Sequence, residues 1–487
     1  MSKTVKELFS GIQCTIIGNE NEEVSGVAFN SRDVKPGDIF FCIVGLKADG
    51  HTYAQDAIDR GAKVLVCERS LSTADTSDVT LVMVGDSRRA MARIASRYYD
   101  TPSEHFKLVG ITGTNGKTTT TYLLKTILEA QGHTVGLIGT NQNMIGDEIL
   151  PTERTTPESF ELHKLFAQMR DAGCTHVIME VSSHSLVLDR VYGIEFTVGA
   201  FTNLTQDHLD FHKTMEAYRD AKALLFHQSK IGVTNLDDAA GKFMLEQKAC
   251  PFLSYGEHEA CDLRAADIQL HADSIGFVCE SAEGKTEVKL GIPGQFTVYN
   301  ALCALSCAKA LGVSVADAAD ALHKAHGVKG RVEVVPTNTD YTVLIDYAHS
   351  PDGVENVLEA ARVFTKGRVI GLFGCGGDRD RTKRPKMGAI AAKLSDYCIV
   401  TSDNPRTEKP EAIIEDILEG MKDTKTPYDV IVNRPEAIWH ALDIAQTGDT
   451  IVLMGKGHET YQEINHVKHH LDEREVVAQY FENKNHK

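Results

Sequence analysis

Short continuous apolar runs alternate with helical stretches along most of the chain. In residues 1–103 the runs Asp38-Ile39-Phe40-Phe41-Cys42-Ile43, Lys63-Val64-Leu65-Val66-Cys67 and Thr80-Leu81-Val82-Met83-Val84 read as strands. Helical segments between them predict a small α/β unit. A second block, residues 104–333, opens with Phe106-Lys107-Leu108-Val109-Gly110-Ile111-Thr112, an apolar strand feeding a glycine-rich turn and a helix expected over 118–130. Val135-Gly136-Leu137-Ile138 and Val177-Ile178-Met179 repeat the pattern of strands buried on both faces of a parallel sheet. Residues 251–293 alternate instead, with a turn at Ala282-Glu283-Gly284, and predict a β excursion inside that block. In residues 334–487, strands Thr342-Val343-Leu344-Ile345, Arg368-Val369-Ile370-Gly371-Leu372-Phe373, Tyr397-Cys398-Ile399-Val400 and Thr450-Ile451-Val452-Leu453-Met454 alternate with helices. That is the pattern of a doubly wound, Rossmann-like sheet, whose ligands bind at the C-terminal ends of the strands. The patterning thus predicts an α/β protein of three domains, 1–103, 104–333 and 334–487.

Composition narrows the class. A chain of 487 residues exceeds what one hydrophobic core supports, and 42% hydrophobic with 24% charged residues is ordinary for a globular protein. The net charge of −17 argues against nucleic acid as a partner, while leaving room for an anionic small molecule at a locally basic site. The eleven cysteines are scattered without a C-x-x-C pair, which reads as reduced core thiols. Met1-Ser2-Lys3-Thr4-Val5-Lys6-Glu7-Leu8-Phe9 begins an amphipathic helix rather than a signal peptide, and no run approaches the ~20 apolar residues of a membrane helix. A soluble, cytoplasmic protein with no membrane association is expected.

The strongest chemical signal is Gly113-Thr114-Asn115-Gly116-Lys117-Thr118-Thr119-Thr120. Glycines let backbone amides turn toward a polyphosphate, Lys117 supplies a point charge, Thr118 offers a hydroxyl to Mg²⁺, and the following helix presents its positive end. The strict G-x-x-x-x-G-K-[ST] spacing is not met: position 111 is Ile and Gly110 comes one residue early. Glu180, directly after the run Val177-Ile178-Met179 and before Val181-Ser182-Ser183-His184, adds a hard oxygen ligand suited to Mg²⁺.

These residues resemble the Mur ligase family. The resemblance covers essentially the whole chain. It rests on Gly113 through Thr119 and on Thr155-Thr156-Pro157, Glu180-Val181-Ser182-Ser183-His184 and Asn203-Leu204-Thr205-Gln206-Asp207-His208-Leu209-Asp210. It continues through Tyr218-Arg219-Asp220-Ala221-Lys222, Gly330-Arg331-Val332-Glu333, Asp346-Tyr347-Ala348-His349-Ser350-Pro351-Asp352 and Asp403-Asn404-Pro405-Arg406. It implies a UDP-binding N-terminal domain, a central P-loop ATPase domain and a C-terminal Rossmann-like domain that binds the amino acid. The implied reaction is an ADP-forming ligation of meso-diaminopimelate onto UDP-N-acetylmuramoyl-L-Ala-D-Glu through an acyl phosphate, with ATP and Mg²⁺, in peptidoglycan synthesis. A monomer is expected.

Residue by residue, the resemblance assigns ATP to Gly113, Thr114, Asn115, Gly116, Lys117, Thr118, Thr119, Asn300, Arg331 and Asp346. Magnesium falls to Thr118, Glu180, His208 and Lys222, the last as a carbamate; read without the resemblance, Lys222 is a solvated lysine on a helix over 215–226. Ser31, Thr155, Thr156, Ser182 and Arg190 would contact the UDP-linked dipeptide. Arg379, Asp403, Asn404, Pro405, Arg406, Gly455 and Glu459 would hold diaminopimelate, with Glu459 facing its distal ammonium. The chain departs from the family pattern in reading Asn30-Ser31-Arg32 where Asp-Ser-Arg is expected, and Leu188 where some relatives carry Gln.

Three other readings compete: a lysine-adding relative, a folylpolyglutamate synthase-like ligase, and a non-catalytic nucleotide-binding protein. Ser31-Arg32, Gly45 and Asp49-Gly50-His51, with Asp403-Asn404-Pro405-Arg406, disfavour the second. The presence of Lys117, Glu180 and Lys222 disfavours the third.

Overall fold

A computed structural model describes residues 3–45, 48–72, 74–152, 154–271, 274–325 and 327–485. The chain forms two compact units, Met1–Leu108 with Thr134–Thr197, and Val109–His133 with Val198–Lys487.

The first unit contains a five-stranded sheet in the order Cys14–Ile17, Thr80–Val84, Val64–Cys67, Asp38–Phe41, Gly26–Ala28, parallel except at its first pair. Val64–Cys67 and Asp38–Phe41 are buried at every position, as the apolar character of all but Asp38 requires. Val64 and Val66 pack on one face with Leu8 and Ile94, and Leu65 and Cys67 on the other with Ala54 and Ala57. The same unit holds the parallel pair Val135–Ile138 and His176–Glu180, with Val177 opposite Gly136. Glu180 is the last residue of that strand rather than the first of the loop.

In the second unit Val109–Thr112 pairs in parallel with Val198–Phe201, setting Ile111 beside Ala200. The order continues through Ser229–Asn235, Phe252–Gly256, Leu263–Leu270, Ile275–Ser281 and Gly284–Leu290. The last three strands are antiparallel, which is the β excursion expected over 251–293. The helix Lys117–Ala130 packs against Gln295–Ala310, whose Cys303 and Cys307 are buried thiols.

The C-terminal sheet runs Glu333–Val335, Thr342–Asp346, Thr450–Met454, Val369–Phe373, Tyr397–Val400, Tyr428–Val430, with only the first pair antiparallel. Alternation along the strands feeds two cores. Phe373, Val400 and Val452 meet the helices Pro351–Phe364, Lys383–Leu394 and Pro410–Glu419, while Leu372, Ile399 and Leu453 meet Arg434–Ile444 and Glu473–Asn485. Helices on both faces bury the sheet, so polar groups are confined to the strand ends. The loops after Asp346, Phe373, Val400 and Met454 therefore emerge along one edge. In this part of the chain the sequence reading did not include the edge strands Glu333–Val335 and Tyr428–Val430 or the two arms of the hairpin Tyr461–Ile464 and Val467–His470.

Candidate active site

The glycine-rich turn leaves the strand at Thr112 and enters the helix Lys117–Ala130 with φ of +151° at Gly113 and +83° at Gly116. Neither glycine tolerates a side chain: a Cβ would stand 1.8 Å from Thr202 Oγ1 and 2.2 Å from Asn300 Oδ1, respectively. Asn203 braces the turn, its carbonyl accepting from the Thr114 amide and its Oδ1 from the Asn115 amide, both at 2.9 Å. Lys117 Nζ donates to the carbonyls of Gly113 and Thr114 at 2.9 Å each. Arg331, more than two hundred residues downstream, donates to Thr118 Oγ1 at 3.2 Å, and its guanidinium stacks 4.7 Å from the centre of the Tyr347 ring.

A cavity of about 370 Å³ opens beside this turn. Asn115, Gly116, Thr119, Asn300, Arg331 and Asp346 all line it, so six of the ten residues assigned to ATP share one wall; Gly113, Thr114, Lys117 and Thr118 do not line it. Asp346 is not free to serve as an open acceptor: its two oxygens receive the amides of Val332 at 2.8 Å and Ala348 at 2.7 Å. Burial raises its carboxyl pKa, against the opposing pull of Arg331 and these amides.

Lys222 lies in the helix Met215–Ala223 and is only 1% exposed, so the solvated-lysine reading is wrong. Burial drives its ammonium well below the usual lysine range, Lys117 adds repulsion, and Asp207 opposes both. Asp207 is itself buried beneath three cationic or titratable neighbours: His208 Nε2 at 3.5 Å, Lys383 Nζ at 3.7 Å and His349 Nε2 at 3.9 Å. Burial raises this carboxyl, but Lys383, the two histidines and the His208 amide outweigh it and hold it well below the carboxylate range. His208 sits in the left-handed region at φ +55°, its side chain partly exposed. Among the described residues no three His, Cys, Asp or Glu side chains converge as a metal cage. The donor set here is of the kind Mg²⁺ accepts, a hydroxyl and few protein oxygens completed by water and phosphate.

Residues assigned to the UDP-linked substrate all fall in the first unit. Ser31 opens the short 3₁₀ turn Ser31–Asp33, capped by Asn30, whose amide also donates to Asp33 at 2.9 Å. The position that departs from the family pattern thus acts as a cap, a role Asn fills as well as Asp. Thr156 Oγ1 donates to the Glu180 carbonyl at 2.8 Å and accepts from the Ser182 amide at 3.0 Å. Thr140 holds the Glu180 carboxylate through its amide and hydroxyl, both at 2.9 Å, and its hydroxyl lies 3.0 Å from Thr155. Arg190 turns part of its fork inward, with Nη2 2.8 Å from buried Glu158 and Nη1 donating to the Thr156 carbonyl at 3.0 Å.

The residues assigned to the amino acid gather on three loops at the edge of the C-terminal sheet. Arg406, at φ +51°, donates from Nε to Glu463 at 3.1 Å and from Nη1 to the Gly377 carbonyl at 2.8 Å. Arg379 is exposed, and a Cβ on Gly376 would lie 2.9 Å from Arg406 Nη1 and 3.9 Å from Arg379 Cγ, so both side chains border that glycine. Asp403 is buried beside Gly455, whose Cβ would stand 2.5 Å from its carboxylate, and near Arg434 at 3.9 Å. Burial raises the Asp403 pKa, but Lys456 and Arg434 hold it below the usual value. Pro405 is buried, and its carbonyl would lie 2.0 Å from a Cβ on Gly377. Asn404 accepts from Lys456 Nζ at 2.7 Å and donates to Glu459 Oε2 at 2.9 Å. Lys456 also reaches Glu459 Oε2 at 2.7 Å. The sequence reading missed Lys456, although its place between two glycines after a strand marked it. It likewise missed Lys383, whose signal was a Lys-Arg-Pro helix start beside the charged run 378–381.

Known proteins resemble the chain throughout. Residues 23–99 match the family model "Mur ligase family, catalytic domain", residues 111–308 "Mur ligase middle domain", and residues 330–457 "Mur ligase, glutamate ligase domain". The UDP-N-acetylmuramoyl-L-alanyl-D-glutamate–2,6-diaminopimelate ligase of Clostridium botulinum is 47% identical over 475 residues, 97% of this chain and 98% of its own. Its namesake in Caldanaerobacter subterraneus subsp. tengcongensis is 48% identical over 474 residues, with the same coverages. A solved structure bearing that enzyme name superposes with a TM-score of 0.71 at 31% identity, covering 100% of both chains. By sequence over nearly its full length and by fold, the chain belongs to the Mur ligase family.

Proposed function

We propose that the chain is an ATP-dependent, ADP-forming ligase that joins meso-diaminopimelate to the D-glutamyl residue of UDP-N-acetylmuramoyl-L-Ala-D-Glu in peptidoglycan synthesis. The observation that carries this is near-half identity, over 97% of the chain, to ligases named for that substrate pair. The reading gives residues 1–103 the UDP-linked substrate, 104–333 ATP, and 334–487 the amino acid. The compact units cut across that division: Ser31, Thr155, Thr156, Ser182 and Arg190, four of them from 104–333, belong to one unit, and the residues assigned to ATP and to the amino acid belong to the other. Among the described residues no helix is long and apolar enough to cross a membrane; a cytoplasmic monomer is proposed.

The chemistry follows from the groups available. A carboxylate is a poor electrophile because it would have to expel oxide. Attack of its oxygen on the γ-phosphorus expels ADP and leaves an acyl phosphate; the amine then attacks the carbonyl carbon, loses a proton and expels inorganic phosphate. Lys117 and the amides of the turn at 113–116 hold the phosphates, and Arg331 adds charge beside Thr118, so the chain contributes alignment and charge neutralisation. Thr118, Glu180, His208 and a carbamate on Lys222 would hold Mg²⁺, which supplies positive charge to the phosphoryl oxygens. The test is phosphate release by purified protein with ATP, the dipeptide nucleotide and the amino acid, each omitted in turn. Release only when all three are present is expected; equal release without the amino acid would overturn the reading.

A further inference from the structure

Two of the loops assigned to the amino acid are fastened to each other from beneath. The turn at 376–378 follows the strand Val369–Phe373, and the segment 403–408 follows Tyr397–Val400. They approach so closely that Gly377 donates its amide to the Asn404 carbonyl at 2.9 Å. Thr407 binds the Asp378 carboxylate through its hydroxyl at 2.7 Å, and Glu408 Oε1 accepts the Asp378 amide at 2.6 Å.

Under this junction lies Arg384, in the first turn of the helix Lys383–Leu394, with a side chain that is 0% exposed. Its Nη2 donates to Glu408 Oε1 at 2.7 Å and to the Gly376 carbonyl at 3.3 Å. Its Nη1 donates to Glu408 Oε2 and to Asp416 Oδ2, both at 2.9 Å. Arg381 lies 3.0 Å from the same Asp416 oxygen, so two guanidinium groups balance two carboxylates. A planar fork that grips a carboxylate with two parallel bonds fixes direction as well as distance. Here it holds Glu408, which holds the Asp378 amide, while the same guanidinium holds the carbonyl of Gly376. The side chains of Arg379 and Arg406 both border that glycine.

We infer that Arg384 is a positioning residue for amino-acid recognition: through Glu408 and the Gly376 carbonyl it sets the spacing of the two loops that carry Arg379 and Arg406. The inference rests on the reading that these two arginines bind the incoming amino acid. A buried ion pair that only stabilised the fold would, when broken, lower stability and the active fraction, and so the apparent kcat, without singling out the KM of one substrate. A pair that sets loop spacing raises KM for one substrate alone, and displacement by about 1 Å is enough to cost up to roughly a hundredfold.

The full-length enzyme is assayed as Arg384→Gln, Arg384→Lys, Glu408→Gln and Arg406→Ala, with KM measured for meso-diaminopimelate, ATP and the dipeptide nucleotide. Arg384→Gln and Glu408→Gln are expected to raise the diaminopimelate KM about tenfold or more while the other two KM values stay within about twofold. Arg384→Lys, which keeps the charge but cannot span Glu408, Asp416 and Gly376 at once, should fall between them and the parent. Parallel rises in all three KM values, or an unchanged diaminopimelate KM, overturn the inference. Should Arg384→Gln not fold, Glu408→Gln decides, since Glu408 is partly exposed. Arg406→Ala separates the two levels. If it leaves the diaminopimelate KM unchanged, the underlying reading fails and this inference with it. If it raises that KM and the Arg384 and Glu408 variants do not, the positioning role alone is refuted.

Discussion

Nζ of Lys222 lies 4.2 Å from the centre of the Tyr218 ring, on a helix face closed to solvent. A ring face favours the ammonium, but burial and nearby Lys117 disfavour it more, and the lysine pKa falls well below its usual value. A lowered pKa enlarges the neutral fraction at neutral pH, and only the neutral amine attacks carbon dioxide. From the neutral amine one N–C bond forms and one N–H proton leaves; counted from the ammonium two protons are lost, so a cation beside the phosphate turn becomes an anion that can bind Mg²⁺. Lys222→Ala is expected to lower kcat/KM by at least about a hundredfold, or ~2.7 kcal/mol. Acetate or formate should partly restore activity in that variant and not in Lys117→Ala. Isotope-labelled bicarbonate should give a carbamate signal in the parent that the variant lacks; a parent without it contradicts the assignment.

Lys117 donates to two carbonyls of its own turn, which places its charge at the mouth of the loop rather than in a core. Lys117→Ala should abolish ligation while leaving the thermal midpoint nearly unchanged. A variant that ligates within about tenfold of the parent, a loss of only ~1.4 kcal/mol, would show that the phosphates bind elsewhere.

Asp346 spends both oxygens on the amides of Val332 and Ala348 while lining the nucleotide cavity. Asp346→Asn replaces one acceptor with an amide that must face a backbone N–H, leaving buried donors opposed. The variant should show a higher KM for ATP and a lower thermal midpoint together. A raised KM at unchanged stability would mean instead that the carboxylate meets the nucleotide directly and that its backbone bonds are incidental.

What could be read in advance was whatever depends on local pattern. Val64–Cys67 and Thr450–Met454 are runs of apolar residues buried at every position, so their strands followed from composition within a five-residue window. The turn at 113–116 was legible because its glycines and Lys117 are contiguous. Lys222 was misread because exposure of a helix face depends on what packs against it: Tyr218 and Asp207 stand close by in sequence, but Lys117, whose charge also reaches it, lies more than a hundred residues upstream. Lys456 was missed for a related reason. Its pairing with Asn404 closes a sequence gap of 52 residues, whereas its contact with Glu459, three residues on, was local and legible. The hairpin Tyr461–Ile464 and Val467–His470 lacks an apolar face, its second arm being exposed throughout, so periodicity carried no signal for it.

Amino-acid choice gives the last prediction. Arg406 reaches the edge of the C-terminal sheet at φ +51°, a conformation held by its amide on the Glu463 carbonyl at 3.0 Å and its carbonyl on the Asn465 amide at 2.8 Å. The side chain is half-buried, with Nε on Glu463 and Nη1 on Gly377, and exposed Arg379 stands across Gly376. Diaminopimelate is lysine with a second carboxylate at its far end, and a guanidinium can bind that group with charge-assisted hydrogen bonds of roughly 1.5–3 kcal/mol each. Lysine offers no such anion and forgoes those bonds. Lys456, already on Oε2 of Glu459, offsets part of the negative charge there for either amino acid, so the distal carboxylate carries the discrimination. The parent should therefore prefer meso-diaminopimelate over lysine by at least about a hundredfold in kcat/KM, the ~3 kcal/mol scale of one bidentate contact. Arg406→Ala should collapse that ratio by weakening diaminopimelate, with lysine turnover nearly unchanged. Comparable rates for the two amino acids in the parent would make this a lysine-tolerant ligase and remove Arg406 from the specificity site.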